Sequence, residues 1–417
     1  MNRTVAICPL FAILAAVGGC SVSRRPAPGP AVAPSPEASP KIDRHPGAAV
    51  WSRPALLAVP TFDPESRDPW QVDLRSRDLS SLDLSDSLSD LLHAIFDART
   101  KWPPKSRMPL RFDWRGMMEL GKNPGLGVRR LHARGVTARG VAIAIIDQPL
   151  LVDHQEYARR IRLYEEINIR PSATSEMHGP AVASIAVGST TGVAPEADRY
   201  YFACYAGDFG TGGPDGFTYN FSYIAQGIRR IVDLNRQLPS SRKIRVISIS
   251  AGWSPGYNGY EDVTAAVNEA KTAGLFVVSA SLESTYGFRF NGLGRPPLAD
   301  PDRFESFQPG WFWVRDFFEG RLPSDRLLLP MDCRTAASPG GVDEYVFYGQ
   351  GGPSWAIPYI AGVYALAVQV RPDLTPDRFW SLALGTGRTI ELKHDGKTVP
   401  FGPVIDPAAL IAALQGT

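Results

Sequence analysis

Three residues in this chain have the types and local settings of hydrolytic chemistry: Asp147, His178 and Ser354. An aspartate can orient an imidazole and stabilise its charge, an imidazole can take a proton from a hydroxyl, and a serine so activated can attack an acyl carbon. Each residue also has a plain structural reading. Asp147 can begin the turn Asp147-Gln148-Pro149, His178 can cap or pack at a helix start, and Ser354 can cap the apolar helix that follows it. The six histidines include no HExxH or comparable cluster, so no metal ligands are assigned and metallohydrolase chemistry has no support. No cofactor motif is evident, and the sequence leaves a structural calcium open.

The elements around these residues are those that chemistry would need. VAIAII, Val141 to Ile146, is an uninterrupted apolar run that reads as a central parallel strand buried on both faces, and it ends directly in Asp147. The carboxyl ends of such strands open onto the ligand crevice of an α/β sheet. In MHGPAVASIAVG, Met177 to Gly188, Pro180 suits a first helical turn and puts His178 at the helix N-terminus, where the dipole should favour the neutral ring. From Trp355 to Val370 the chain is almost wholly apolar and predicts a buried helix, with Ser354 at its start and Pro358 in its first turn. N–H groups there could stabilise a developing oxyanion. The alternation of strands and helices from about Pro124 predicts an α/β fold of three layers, a mainly parallel sheet flanked by helices.

Together, ARGVAIAIID, MHGPAVAS with GVAPEA after it, and GPSWAIPYIAGVYAL resemble the Asp, His and Ser signatures of subtilisin-like serine proteases, in that family's order. The resemblance runs from about Pro124 to Leu384. It implies a serine endopeptidase in which Ser354 attacks a peptide carbonyl, His178 is the base and Asp147 its orienting partner, with the Ser354 backbone N–H as one oxyanion donor. It also implies that ISISAGW, Ile247 to Trp253, pairs with an extended substrate, with Ser250, Ala251 and Gly252 lining the primary pocket.

The chain departs from the family pattern at several points. Gln148 and Pro149 follow the aspartate where Thr or Ser and then Gly are usual, and Pro180 and Pro353 replace threonines near the histidine and serine. Leu282 stands where the family has an asparagine that donates to the oxyanion. Loss of one such donor typically costs about 3 kcal/mol. Asn291, in RFNGLG, is the residue expected to loop back into the hole, with Ser281 or a backbone N–H as the other candidates. A catalytically weak or inactive relative that binds peptides or partner proteins in the same cleft is therefore the alternative reading.

The 417 residues carry a formal net charge of only +2, which gives no reason to expect nucleic acid as a partner. Residues 1–19 read as an export signal ending in VGGC, which resembles the lipobox of bacterial lipoproteins. That resemblance implies lipidation of Cys20, palmitate included, and a chain exported to the bacterial cell envelope and held at its membrane. Residues 20–60, rich in Pro and Ala, read as an extended tether. Residues 61–123 read as an N-terminal extension or prosegment with short helices between Asp78 and Ala98, and residues 124–417 as the catalytic domain. No repeat period of the solenoid kind is apparent. Two further cysteines, Cys204 and Cys333, leave a disulfide open. The loop-rich, aromatic insert from about Tyr286 to Tyr345 is expected to cover the core, and the tail PVIDPAALIAAL, Pro403 to Leu414, to finish as a short packed helix.

Overall fold

The strand predicted from the apolar run occupies Ala142–Asp147. Its side chains alternate between two cores: Ile143 and Ile145 enter one, and Ala142, Ala144 and Ile146 the other. It lies inside a six-stranded sheet ordered Lys41–Ile42, Ile161–Ile167, Asp198–Cys204, Ala142–Asp147, Ile244–Ile249, Phe276–Ser279, with every pair parallel. Helices His178–Val187 and Pro353–Val370 belong to the core on one face, and Ser222–Gln237 and Tyr260–Thr272 to the core on the other. The result is the three-layer α/β arrangement. Successive strands after Ala142–Asp147 are added first on one side of it and then on the other, so Asp147 ends at a topological switch point.

This computed structural model describes residues 39–416 except 52, 67, 211–215 and 323–324. The expected signal peptide, Cys20 and the first part of the expected tether lie outside the described residues. No helix among the described residues is long and apolar enough to cross a membrane.

The two helices of the first face are built for close approach. In His178–Val187 every residue after the histidine is buried, and most are small. In Pro353–Val370, Gly362 faces Val193, whose Cβ would lie 2.5 Å from any Cβ added there, so only glycine lets the helix in.

The composition predicts a tether through residue 60, and the structure differs from residue 39 onward. Lys41–Ile42 pairs with Leu163 and Tyr164 as the edge strand of the main sheet. Arg44 makes a two-pronged ion pair with Glu166 at 2.6 and 2.9 Å, and the Ala49 N–H donates to Pro339 O. An open sheet edge and a bidentate charge pair supply partners that mean composition does not register.

The helices expected between Asp78 and Ala98 are reduced to Leu88–Leu91. In their place is a short-period repeat that the sequence reading did not identify. Asp68, Asp73, Asp78 and Asp83 recur every five residues, and each carboxylate accepts the N–H two residues on, closing a turn. Leu74, Leu79 and Leu84, one step after the last three, are buried in a satellite core with Met117, Met118 and Phe347. The segment Phe96–Asp97 then pairs with Val346 and Phe347, so residues 61–123 are joined to the chain around the serine helix by strand and core.

The insert after Tyr286 is less loop-rich than expected. Its strands Phe290–Gly294, Gln308–Pro309 and Leu327–Pro330 join the later hairpin Arg388–His394/Lys397–Val404 in a second, five-stranded sheet. The tail forms the expected helix, Pro407–Gln415.

Candidate active site

Asp147 ends the central strand with its carboxylate buried, and His178 opens its helix directly across from it. His178 Nδ1 lies 2.7 Å from Asp147 Oδ1. A carboxylate only accepts, so Nδ1 is the donor and Nε2 carries the free lone pair. The imidazole side chain is 22% exposed and the carboxylate side chain 5%, which leaves the pair accessible from the ring side alone.

The departures from the family pattern around this pair have local explanations. Gln148 donates its backbone N–H to Asp147 Oδ1 at 2.8 Å, and its side-chain oxygen accepts the His178 N–H at 3.2 Å. One residue thereby steadies both members of the pair and satisfies an orphan donor of the histidine helix. Tyr201 Oη donates to Gln148 O at 2.6 Å. A Cβ on Gly179 would meet both of those oxygens within 2.5 Å, so the residue after the histidine has to be glycine. The pattern HG after an Asp-Gln turn was the only signal of this arrangement in the sequence.

The helix dipole was expected to keep His178 neutral. Burial does work against the imidazolium, but the charge of Asp147 and its hydrogen bond outweigh burial, and the His178 pKa stands above its ordinary 6.5.

Ser354 is not the cap of its helix. Gly352 is the N-cap, at φ +74°, with Pro353 first and Ser354 second, and no side chain caps the end. Pro358 falls inside the helix and has no N–H to give to the carbonyl four residues back, which is that of Ser354. Ser250 Oγ fills the gap, donating to Ser354 O at 2.9 Å. Ser354 Oγ in turn donates to Ser250 O at 3.4 Å, and among the described hydrogen bonds none joins it to His178. The residue after Ser354 does approach the histidine. The indole of Trp355, the next residue, lies 5.5 Å from the His178 ring, tilted at 60°. A hydrogen bond between a nucleophile and its base is often long or poorly aligned in an unliganded site and tightens with substrate.

Ser250 and Ala251 lie just beyond the strand Ile244–Ile249 and line a cavity of about 370 Å³ together with Asp147, His178, Tyr205 and Phe209. Gly252 is exposed, and a Cβ added there would lie 3.0 Å from Ala280 Cβ. Among the described residues no group of three or more His, Cys, Asp or Glu side chains is gathered to hold a metal. Cys204 and Cys333 are both free and buried in separate cores, with burial pushing each thiol up to about 12.

Asn291 is not among the residues that line this cavity. It sits in the strand Phe290–Gly294, paired with Leu328, and its side-chain oxygen accepts from Arg326 Nη1 at 2.9 Å. Strand pairing in the second sheet, absent from a reading of the segment as loop, holds it there. Ser281 is no freer, because its hydroxyl donates to Trp253 O at 2.8 Å and accepts the Trp253 N–H at 2.7 Å. Leu282 is fully buried in the core. Asn291→Ala is accordingly expected to leave kcat within about twofold of wild type in a peptide-hydrolysis assay, the ordinary range for a residue away from the chemistry.

Residues 138–302 match the family described as Peptidase_S8: Subtilase family. That stretch contains Asp147 and His178, and Ser354 lies after it. The chain is 32% identical over 100 residues to Subtilisin-like protease PopC of Myxococcus xanthus (strain DK1622), covering 21% of each chain. It is 25% identical over 273 residues to Subtilisin-like protease 4 of Trichophyton equinum, covering 62% of each. The chain thus spans less than two thirds of these relatives' own length. A solved structure, "Structure of Prenylagaramide maturation protease PagA", aligns with a TM-score of 0.47 and 17% identity over 70% of this chain and 99% of that one.

Proposed function

We propose that this chain, whose residues 138–302 match the subtilase family, is a serine endopeptidase acting on proteins or peptides through Asp147, His178 and Ser354. The observation that carries the reading is the Asp147–His178 pair at the carboxyl edge of the sheet, next to a serine helix whose first turn is tied to Ser250. Ser354 Oγ attacks the scissile carbonyl while His178 Nε2 accepts its proton. The tetrahedral oxyanion faces the N-terminus of the serine helix, with the Ser354 N–H as one donor. His178 then protonates the leaving amine, and water repeats the sequence to release the acid. Ser250 and Ala251, at the end of their strand, are positioned to hold an extended peptide by its backbone.

The specific features on the other side are the commitment of Ser281 to Trp253 and the burial of Leu282, which leave the oxyanion with fewer side-chain donors than the family pattern supplies. They favour a slow enzyme, or a peptide-binding relative of it. Incubating the folded protein with an unstructured protein substrate separates the two. New substrate N-termini, detected by mass spectrometry and blocked by a fluorophosphonate, are expected. Substrate that is retained but never cut would reject the enzyme.

We further propose that Cys20, in VGGC, is lipidated and anchors the chain at the bacterial envelope. Metabolic labelling with radioactive palmitate should mark the wild type and not Cys20→Ala. Equal labelling of both would reject the anchor.

A further inference from the structure

Two loops meet beside Ser354, and one buried side chain joins them. Asp332 Oδ1 accepts the Gly351 N–H at 2.9 Å, three residues before the serine. Its Oδ2 accepts the Trp311 N–H, also at 2.9 Å, from the aromatic insert. The Asp332 backbone is itself pinned, its N–H donating to Leu293 O in the second sheet.

Both loops are shaped to this contact. A Cβ on Gly351 would come within 2.4 Å of Met331 O and 2.9 Å of the Trp355 ring, so the chain before the nucleophile lies flat against the segment that carries Asp332. On the insert, Trp313 is buried and donates its indole N–H to Gly292 O at 2.5 Å, anchoring the loop. Phe312 is turned the other way. It is 45% exposed, and its ring edge lies 3.3 Å from where a Gly352 Cβ would be. The insert therefore does more than cover the core, because it sets one aromatic ring against the residue two before Ser354.

We propose that Asp332 is a positioning residue for this site: its carboxylate clamps the nucleophile loop to the 311–313 loop, fixing Ser354 and holding Phe312 as a wall of the cleft that contacts apolar substrate side chains. The inference rests on the protease reading. Burial pushes the Asp332 carboxyl up to about 6 against its two N–H bonds, so keeping it ionised near neutrality costs stability. An apolar residue of similar volume would serve the core better, which fits a carboxylate kept for what it holds.

The decisive comparison uses the full chain, with the rate constant of fluorophosphonate labelling at Ser354 measured beside kcat, KM and the thermal midpoint. Asp332→Asn can accept only one of the two N–H groups. It is expected to lower the labelling rate constant and kcat about tenfold or more in protein that still unfolds cooperatively. Phe312→Ala should label at the wild-type rate and raise KM several-fold for peptides with large apolar side chains, with little change for glycine-rich ones. A residue that merely stabilised the fold would lower the midpoint and leave the labelling rate constant of folded protein unchanged, and that result for Asp332→Asn would overturn the clamp. If that variant does not fold, Phe312→Ala decides, and an unchanged KM rejects the proposal. Wild type that is not labelled in a Ser354-dependent way would instead overturn the protease reading on which the clamp depends.

Discussion

Ser354→Ala is expected to abolish covalent labelling by a fluorophosphonate and to lower kcat by about 10³- to 10⁴-fold, with the fold retained. The size follows from two effects. Removing the nucleophile of a complete triad costs about 10⁶-fold in kcat. On the proposed reading the oxyanion has one side-chain donor fewer than the family pattern supplies, a deficit of about 10²- to 10³-fold, so less remains to be lost. Stability should barely change, because the Ser354 hydroxyl makes only a 3.4 Å contact with Ser250 O, while the helix end is held by its carbonyl, which alanine keeps. Active-site titration and a thermal melt of the two proteins check both halves. Equal labelling of the alanine variant would place the reactive group elsewhere.

Asp147→Asn carries the second large effect, and it is visible in the pH profile. His178 must be neutral to accept the serine proton, and its pKa stands above 6.5 because the charge and hydrogen bond of Asp147 outweigh burial. The acid limb of kcat/KM in the wild type is therefore expected above pH 6.5, with activity rising as His178 loses its proton. The asparagine variant removes the charge and leaves burial in force, so its limb should move below 6.5. Its kcat should fall by about 10⁴-fold, as when a triad aspartate becomes asparagine.

Stability runs the opposite way. A histidine with a raised folded-state pKa contributes stability that is fully present below its unfolded pKa of about 6.5 and is lost as pH rises through the folded value. Over that window the wild type should lose part of its thermal midpoint while gaining activity, and Asp147→Asn should show neither change. A wild-type acid limb below 6.5 would remove Asp147 as the group that sets it.

How far the site could be read in advance depended on how local each signal was. Asp147 was legible because a two-face-buried strand is written in six consecutive residues and the acid follows at once. The His178 and Ser354 helices were legible for the same reason, as runs of small or apolar residues with glycine or proline at the start. Asn291 was misplaced because its partners, Arg326 and Leu328, lie 35 and 37 residues downstream, and no local pattern reports such pairing. The ordered course from residue 39 was missed because its partners, Tyr164, Glu166 and Pro339, are all distant in the chain. The five-residue aspartate repeat was present in the residues, but its turns look like helix when only the leucines are counted.

What the sequence by itself determined is the order of the candidate residues Asp147, His178 and Ser354 and the elements that carry them, since strand and helix propensities act over a few residues. What only the tertiary structure decided is how those groups are held. Gln148 steadies both Asp147 and His178, Ser250 takes the carbonyl that Pro358 leaves open, Ser281 is bound to Trp253, and Asp332 joins the loops at Trp311, 21 residues before it, and Gly351, 19 residues after it. Each is a single polar contact between segments distant in the chain. Hydrogen bonds of this kind depend on distances of a few tenths of an ångström, which are set only when the whole fold has closed.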